Sequence, residues 1–197
     1  MAIQNPRPKV LLADNSPQRT ALLRAALEGA CYEVVAIPET PHALLRAVDL
    51  HRPDIIIIDT DSPSHEMLAH LLTINQEQAR PILIFSSDGG SESIRQAVRA
   101  GVSAYVVDGL AARRIKGIVE VAVARFDENR KLVDELAQAN LKLSERKLVD
   151  RAKGILMKSR GISEDEAYHA LRRLAMTRTK RIGEIARLVI DMEDLIA

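Results

Sequence analysis

Tryptophan is missing, and only 2 Phe and 3 Tyr occur in 197 residues. So few aromatics exclude a single-strand binder that stacks successive bases on rings. One cysteine, Cys31, excludes an internal disulfide framework and fits a reducing compartment. Long apolar runs are also lacking. The longest, 10–13 and 55–58, are strand-sized, against ~20 residues for a membrane span. The opening Met-Ala-Ile-Gln-Asn-Pro has no charged-then-apolar secretory profile. The expectation is a soluble, cytoplasmic protein with no membrane partner. Proline is absent after Pro81, and glycine is absent between Gly117 and Gly154. That second half carries few helix breakers.

What is present suffices for a real core, since 47% of the residues are hydrophobic. The net charge of +1 hides an asymmetry. Residues 1–109 carry 9 Lys/Arg against 13 Asp/Glu, a net −4, and residues 110–197 carry 19 against 14, a net +5. Residues 142–181 alone carry 12 against 5, a net +7. A basic module behind an acidic one points to a polyanionic partner for the second half.

Short apolar runs at 9–13, 33–37, 54–58, 81–85 and 102–107 alternate with helical spacing at 17–27, 41–50, 65–76 and 92–100. A further helix starts near Leu110. Strands without alternating polar residues are buried on both faces. Five such units predict a doubly wound parallel five-stranded α/β sheet. Ligands then sit at the carboxyl ends of the strands, where Asp14-Asn15, Asp59, Ser86-Ser87 and Asp108 lie.

This set resembles the phosphoacceptor site of receiver domains, which are flavodoxin-like, over about residues 8–125. The resemblance makes Asp59 the phosphoacceptor, Ser86 the hydroxyl facing the phosphoryl group, Tyr105 its coupled aromatic and Asp14 an acidic metal ligand. Two positions depart from it. Asn15 replaces a second acid and weakens Mg²⁺ binding through Asp14 and Asp59. Asp108 replaces the family's lysine and adds repulsion where a phosphoryl group needs compensation. A pseudo-receiver that docks a protein, with no required cofactor, is the expectation.

Residues 115–157 read as one long helix or two in line. A heptad register puts Phe126, Val133, Asn140 and Lys147 at a, and Ala122, Asn129, Leu136, Leu143 and Asp150 at d. A lone Asn at a favours a parallel two-stranded coil, hence a homodimer. Ser163-Glu-Asp-Glu166 is a capping box opening a second helix, and Ile182, Ile185, Ala186, Val189 and Met192 mark a third. The expected organisation is a tail at 1–8, a receiver-like domain at 9–120, a coiled-coil linker at 121–145 and a three-helix bundle at 146–197.

The runs Arg151-Ala-Lys-Gly-Ile-Leu-Met157, Ser163-Glu-Asp-Glu-Ala-Tyr168 and Leu171-Arg-Arg-Leu-Ala-Met176 resemble the ANTAR signature from about Leu143 to Ile190. The whole order is similar to ANTAR response-regulator antiterminators, above all the nitrate-assimilation group typified by NasT, with AmiR sharing the architecture. The resemblance implies binding to tandem hairpins in leader mRNA, without enzymatic activity. It also implies control by a ligand-sensing, NasS-like regulatory protein responding to nitrate or nitrite.

Hairpin loops suit such a module, because their splayed bases can be reached. The candidate RNA contacts are Lys153, Arg151, Lys147, Arg172, Arg173, Arg178, Lys180 and Arg181, with Tyr168 the one stacking platform. Ala152, Leu156 and Ala167 are expected in the core, and Gly154 is expected to serve close helix packing. His42, His51, His65, His70 and His169 share no metal-ligand spacing and read as surface residues. Two other readings remain. One is a DNA-binding two-component regulator switched by phosphorylation of Asp59; the other is a phosphotransfer or allosteric protein with no nucleic-acid partner.

Overall fold

A computed structural model describes residues 7–14, 16–36, 38, 40–108 and 112–194. Compact units divide at Arg130 and Lys131. The first unit alternates strands and helices. They are β1 (Lys9–Asp14), α1 (Pro17–Gly29), β2 (Glu33–Ala36), α2 (Pro41–His51), β3 (Ile55–Thr60), α3 (His65–Glu77), β4 (Ile82–Ser86), α4 (Ser91–Arg99) and β5 (Ala104–Val107). A 3₁₀ turn at Ala112–Arg114 leads into α5 (Ile115–Arg160), one continuous helix that runs on into the second unit.

The five strands are parallel in the order β2-β1-β3-β4-β5, the doubly wound sheet expected from the sequence. Period-two alternation sorts each strand between two cores. Leu11, Ala13, Ile56, Ile58, Ile82 and Ile84 pack with α2, α3 and α4 residues such as Leu44, Leu71 and Ala97. Val10, Leu12, Ile55, Ile57, Leu83 and Phe85 pack on Leu23, Leu27, Ile115, Val119 and Ala122 of α1 and α5. Full burial stabilises by about 1.5–3 kcal/mol for each large apolar side chain, which explains the unbroken isoleucine run of β3.

Two boundaries differ from the sequence reading. β5 begins at Ala104, two residues late, because the Val102 amide bonds to the Ala97 carbonyl and closes the α4 end instead. Leu110 and Ile37 lie outside the described residues.

The second unit is built from the C-terminal part of α5, α6 (Glu164–Thr177) and α7 (Ile182–Asp194). Val149, Ala152 and Leu156 of α5 meet Ala167, Leu171 and Ala175 of α6 and Ile185, Ala186 and Ile190 of α7. The Ser163 cap is formed as read. Its Oγ accepts the Glu166 amide at 3.3 Å, and Glu166 Oε2 accepts the Ser163 amide at 2.8 Å. Gly183 marks a close α5–α7 approach, where a Cβ would lie 2.7 Å from Glu145 Cγ.

Two expectations about α5 need correction. Ala122, a d position of the heptad register, is fully buried in the first unit's core and is unavailable for a coiled coil. At the other end Val149, rather than the d residue Asp150, enters the bundle core. Between them Val133, Leu136 and Leu143 remain exposed, at 56%, 62% and 52%. Gly154 does not serve helix packing among the described residues, since a Cβ there would meet none of them within 4 Å.

Candidate functional site

The sheet register sets the first site. Asp14 pairs with Asp59 across β1 and β3, and Thr60 pairs with Ser86 across β3 and β4. Asp14, Asp59 and Ser86 are all buried. The fold therefore brings together three of the sequence-predicted residues; Asn15 falls outside the described ones. Asp14 is already engaged, its Oδ1 accepting the Ser16 amide at 2.8 Å and its Oδ2 the Thr20 hydroxyl at 2.8 Å.

Sequence reasoning missed Arg19. Placed early on α1, its Nε lies 3.3 Å from Asp59 Oδ2, and its Nη1 donates to Asp61 Oδ1 at 3.1 Å. The Nε–Oδ2 pair is close but off hydrogen-bond geometry, so both atoms are buried without a hydrogen bond. Burial pushes the Asp59 carboxyl above the usual carboxylate range, and neighbouring Asp14 adds to this, while Arg19 opposes it. The residues fit Mg²⁺ poorly: both Asp14 oxygens carry protein donors, and a guanidinium stands beside Asp59.

Ser86 and Tyr105 take part in a loop network. Ser86 Oγ donates to the Asp61 carbonyl at 2.8 Å and accepts the Asp88 amide at 3.1 Å. Tyr105 donates to the Asp88 carbonyl at 2.8 Å and packs on the sheet core. Asp88, also missed, gathers Ser62, Ser93 and the Gly90 amide at 2.6–2.8 Å, and these bonds hold its carboxyl below the usual range. Asp108 is exposed with a left-handed φ of 47°, and its amide donates to the Ser86 carbonyl at 3.1 Å. A carboxylate-bearing residue does tolerate that backbone region better than most.

The second site is the basic surface of the bundle. Arg172 and Arg173 are exposed on α6 and, with Arg160, line an open groove of 750 Å³ together with Ile162, His169, Ala170 and Met176. Glu166 also lines it but is held by the Ser163 cap. A smaller groove of 420 Å³ joins Lys142, Arg146 and Lys153 to the half-exposed ring of Tyr168. Arg178, Lys180 and Arg181 are exposed on the turn between α6 and α7, and Lys147 and Arg151 are exposed on α5.

Lys153 is placed differently from its neighbours. Its side chain is only 14% exposed, and Nζ lies 2.7 Å from both Asp150 Oδ1 and Glu164 Oε1. The Asp150 bond first, then Glu164, holds its ammonium above the ordinary lysine range. It ties α5 to the start of α6.

Comparison with known proteins agrees with this division. Residues 10–120 match the response regulator receiver domain, and residues 137–190 match the ANTAR domain. The chain belongs to the ANTAR-domain response regulators. The transcriptional regulatory protein PdtaR of Mycobacterium tuberculosis is 28% identical over 183 residues, 93% of this chain and 89% of that protein. The nitrate regulatory protein of Klebsiella oxytoca is 35% identical over 88 residues, 45% of this chain and 22% of that protein. The receiver superposes on that of a modulated diguanylate cyclase from Desulfovibrio desulfuricans with a TM-score of 0.55 and 22% identity, covering 62% of this chain and 98% of that one. That likeness concerns the fold alone. An ANTAR domain behind a receiver makes this response regulator a regulator of transcription. No helix among the described residues is long and apolar enough to cross a membrane.

His42, His65 and His169 are exposed, and His51 and His70 are partly so. Although they share no sequence spacing, the receiver brings His42 and His70 to a ring-centroid distance of 5.8 Å. Glu66 and His70, four residues apart on α3, share a face with each other, and His42 joins them from α2.

Proposed function

We propose that the chain is a non-enzymatic transcription antiterminator whose ANTAR bundle binds hairpins of a leader mRNA. The observation that carries this is the groove lined by Arg160, Arg172 and Arg173 together with the apolar Ile162, Ala170 and Met176. Guanidinium planes stack on unpaired bases and pair with phosphates, which suits loops better than a duplex groove. The bundle has no Phe or Trp and a single Tyr, Tyr168, so arginine carries most of the stacking and hydrogen bonding. Lys153 acts by fixing the α5–α6 junction rather than by reaching phosphate.

Control runs through the receiver by protein docking. Asp108 in the lysine's place and the poor fit for Mg²⁺ oppose a lasting phosphoryl-aspartate, and Arg19, already shared with Asp61, compensates the charge only in part. The partner is a NasS-like sensor of a small ligand, and the similarity to a nitrate regulatory protein favours nitrate or nitrite. The exposed Val133, Leu136 and Leu143 make the homodimer contact through α5, and tandem hairpins match a two-headed binder. No cofactor is needed, and the protein works in the cytoplasm.

Salt-matched titration of the chain with a two-hairpin leader RNA and with duplex DNA tests the reading. Hairpin affinity at least tenfold above duplex affinity is expected. Preference for the duplex, with affinity raised by a phosphodonor, would establish the DNA-binding response regulator instead.

A further inference from the structure

We infer that the receiver carries a transition-metal site, of the kind that takes Zn²⁺, between α2 and α3. Its ligands are His42 from the first turn of α2 and Glu66 and His70 from α3. Residues four apart on a helix share a face, so Glu66 and His70 project together. The fold adds His42 from the neighbouring helix.

The geometry is close to a metal site already. One ligand atom from each of the three residues lies within 4.8 Å of the other two. An ion between them is at most about 2.8 Å from each, and small side-chain rotations reach the ~2.0–2.2 Å of zinc bonds. The imidazole rings are inclined at 64° and do not stack on each other.

A second observation points to a ligand. Nδ1 of His70 is buried with no hydrogen-bond partner. Burying a polar nitrogen unpaired is unfavourable, and a metal bond is one partner it accepts. Two imidazoles with one carboxylate favour zinc, copper or nickel over Mg²⁺ or Ca²⁺, which take oxygen ligands. Bound there, the ion braces α2 against α3 with residues other than Asp14 and Asp59.

The test uses the untagged full-length chain, stripped with chelator. Calorimetric titration with ZnCl₂ is expected to give one saturable site of micromolar affinity. His42→Ala and Glu66→Gln, both at exposed positions, should each weaken it at least tenfold, and His70→Ala should abolish it. Zinc should raise the melting temperature of the parent chain and not that of His42→Ala. Co²⁺ should give visible absorption bands with the parent chain and lose them with His42→Ala. Unchanged zinc affinity in His42→Ala and Glu66→Gln would overturn the assignment by placing the ion elsewhere. So would the absence of saturable binding up to about 100 µM, weaker than about −5.5 kcal/mol.

Discussion

Arg19 Nε stands 3.3 Å from Asp59 Oδ2, so a helix residue supplies the cation that the sequence denies at position 108. The guanidinium is one-third exposed while the carboxylate is buried, and the pair is off hydrogen-bond geometry. It therefore compensates the Asp59 charge only in part, and burial still dominates that group. A phosphoryl group on Asp59 would enter a pocket whose cation is already shared with Asp61.

A double-mutant cycle measures this coupling. Arg19→Ala should lower stability at pH 7 by about 1–2 kcal/mol, discounted for the exposure of the guanidinium. Asp59→Asn should raise stability, because it removes a charge that burial disfavours. In the double variant Arg19→Ala should cost much less, leaving a coupling of about 1 kcal/mol. The sign with pH follows from the raised folded-state carboxyl of Asp59. Its penalty is full when the group is ionised and is relieved as pH falls through that raised value. The advantage of Asp59→Asn should shrink on acidification; denaturant melts across pH settle it, and a constant advantage would refute the assignment.

Phosphorylation can be tested separately. Asp59→Ala is expected to retain antitermination within about twofold in a leader–reporter assay, and acetyl phosphate should not change hairpin affinity of the parent chain by more than that, under 0.5 kcal/mol. Loss of activity in a folded Asp59→Ala protein would restore phosphoryl transfer as the switch.

The sheet was legible because its strands are buried on both faces and hence unbroken in hydrophobicity; Asp14, Asp59 and Ser86 followed from strand ends alone. Arg19 was not legible, since an arginine on a helix normally faces solvent and only the sheet register decides what lies opposite. His42 and His70 stayed hidden for the same reason, being 28 positions apart and joined only by helix packing. Lys153 was legible as a motif residue but not in its surroundings, because Glu164 reaches it from the next helix.

The exposed apolar stripe of α5 predicts a second oligomeric state. Leu136→Lys with Leu143→Lys should leave the receiver and the bundle folded, since both side chains are more than half exposed. Sedimentation should show a monomer where the parent chain dimerises. Affinity for a two-hairpin RNA should fall by 10²-fold or so through lost multivalency, while affinity for one hairpin stays. Equal sedimentation of the two proteins would remove α5 as the contact.

Phosphate and base contacts should separate by salt dependence. Arg172→Ala and Arg173→Ala should each weaken hairpin binding by about 1–3 kcal/mol, and the variant that loses a phosphate contact should reduce the salt slope by about 0.7–0.9. Lys153→Met should instead lower the bundle's melting temperature, as Asp150 and Glu164 lose their shared partner. A Lys153→Met protein of unchanged stability and reduced salt slope would return that lysine to the RNA surface.

The two bundle glycines should respond in opposite directions to alanine. At Gly183 a Cβ meets Glu145 Cγ at 2.7 Å, and Glu145 also accepts the Gly183 amide at 3.3 Å. Overpacking of about 1–3 kcal/mol outweighs the helix-propensity gain of ~1 kcal/mol, so Gly183→Ala should destabilise by about 1 kcal/mol. Gly154 is exposed six residues before the end of α5, with nothing among the described residues within 4 Å of its Cβ position. Gly154→Ala should therefore stabilise by up to about 1 kcal/mol. A glycine with no packing partner among the described residues fits a surface that another backbone approaches. Hairpin affinity should fall as stability rises, and thermal melts beside RNA titrations read both. A more stable Gly154→Ala protein that binds hairpins as tightly as its parent would take that stretch of α5 out of the interface.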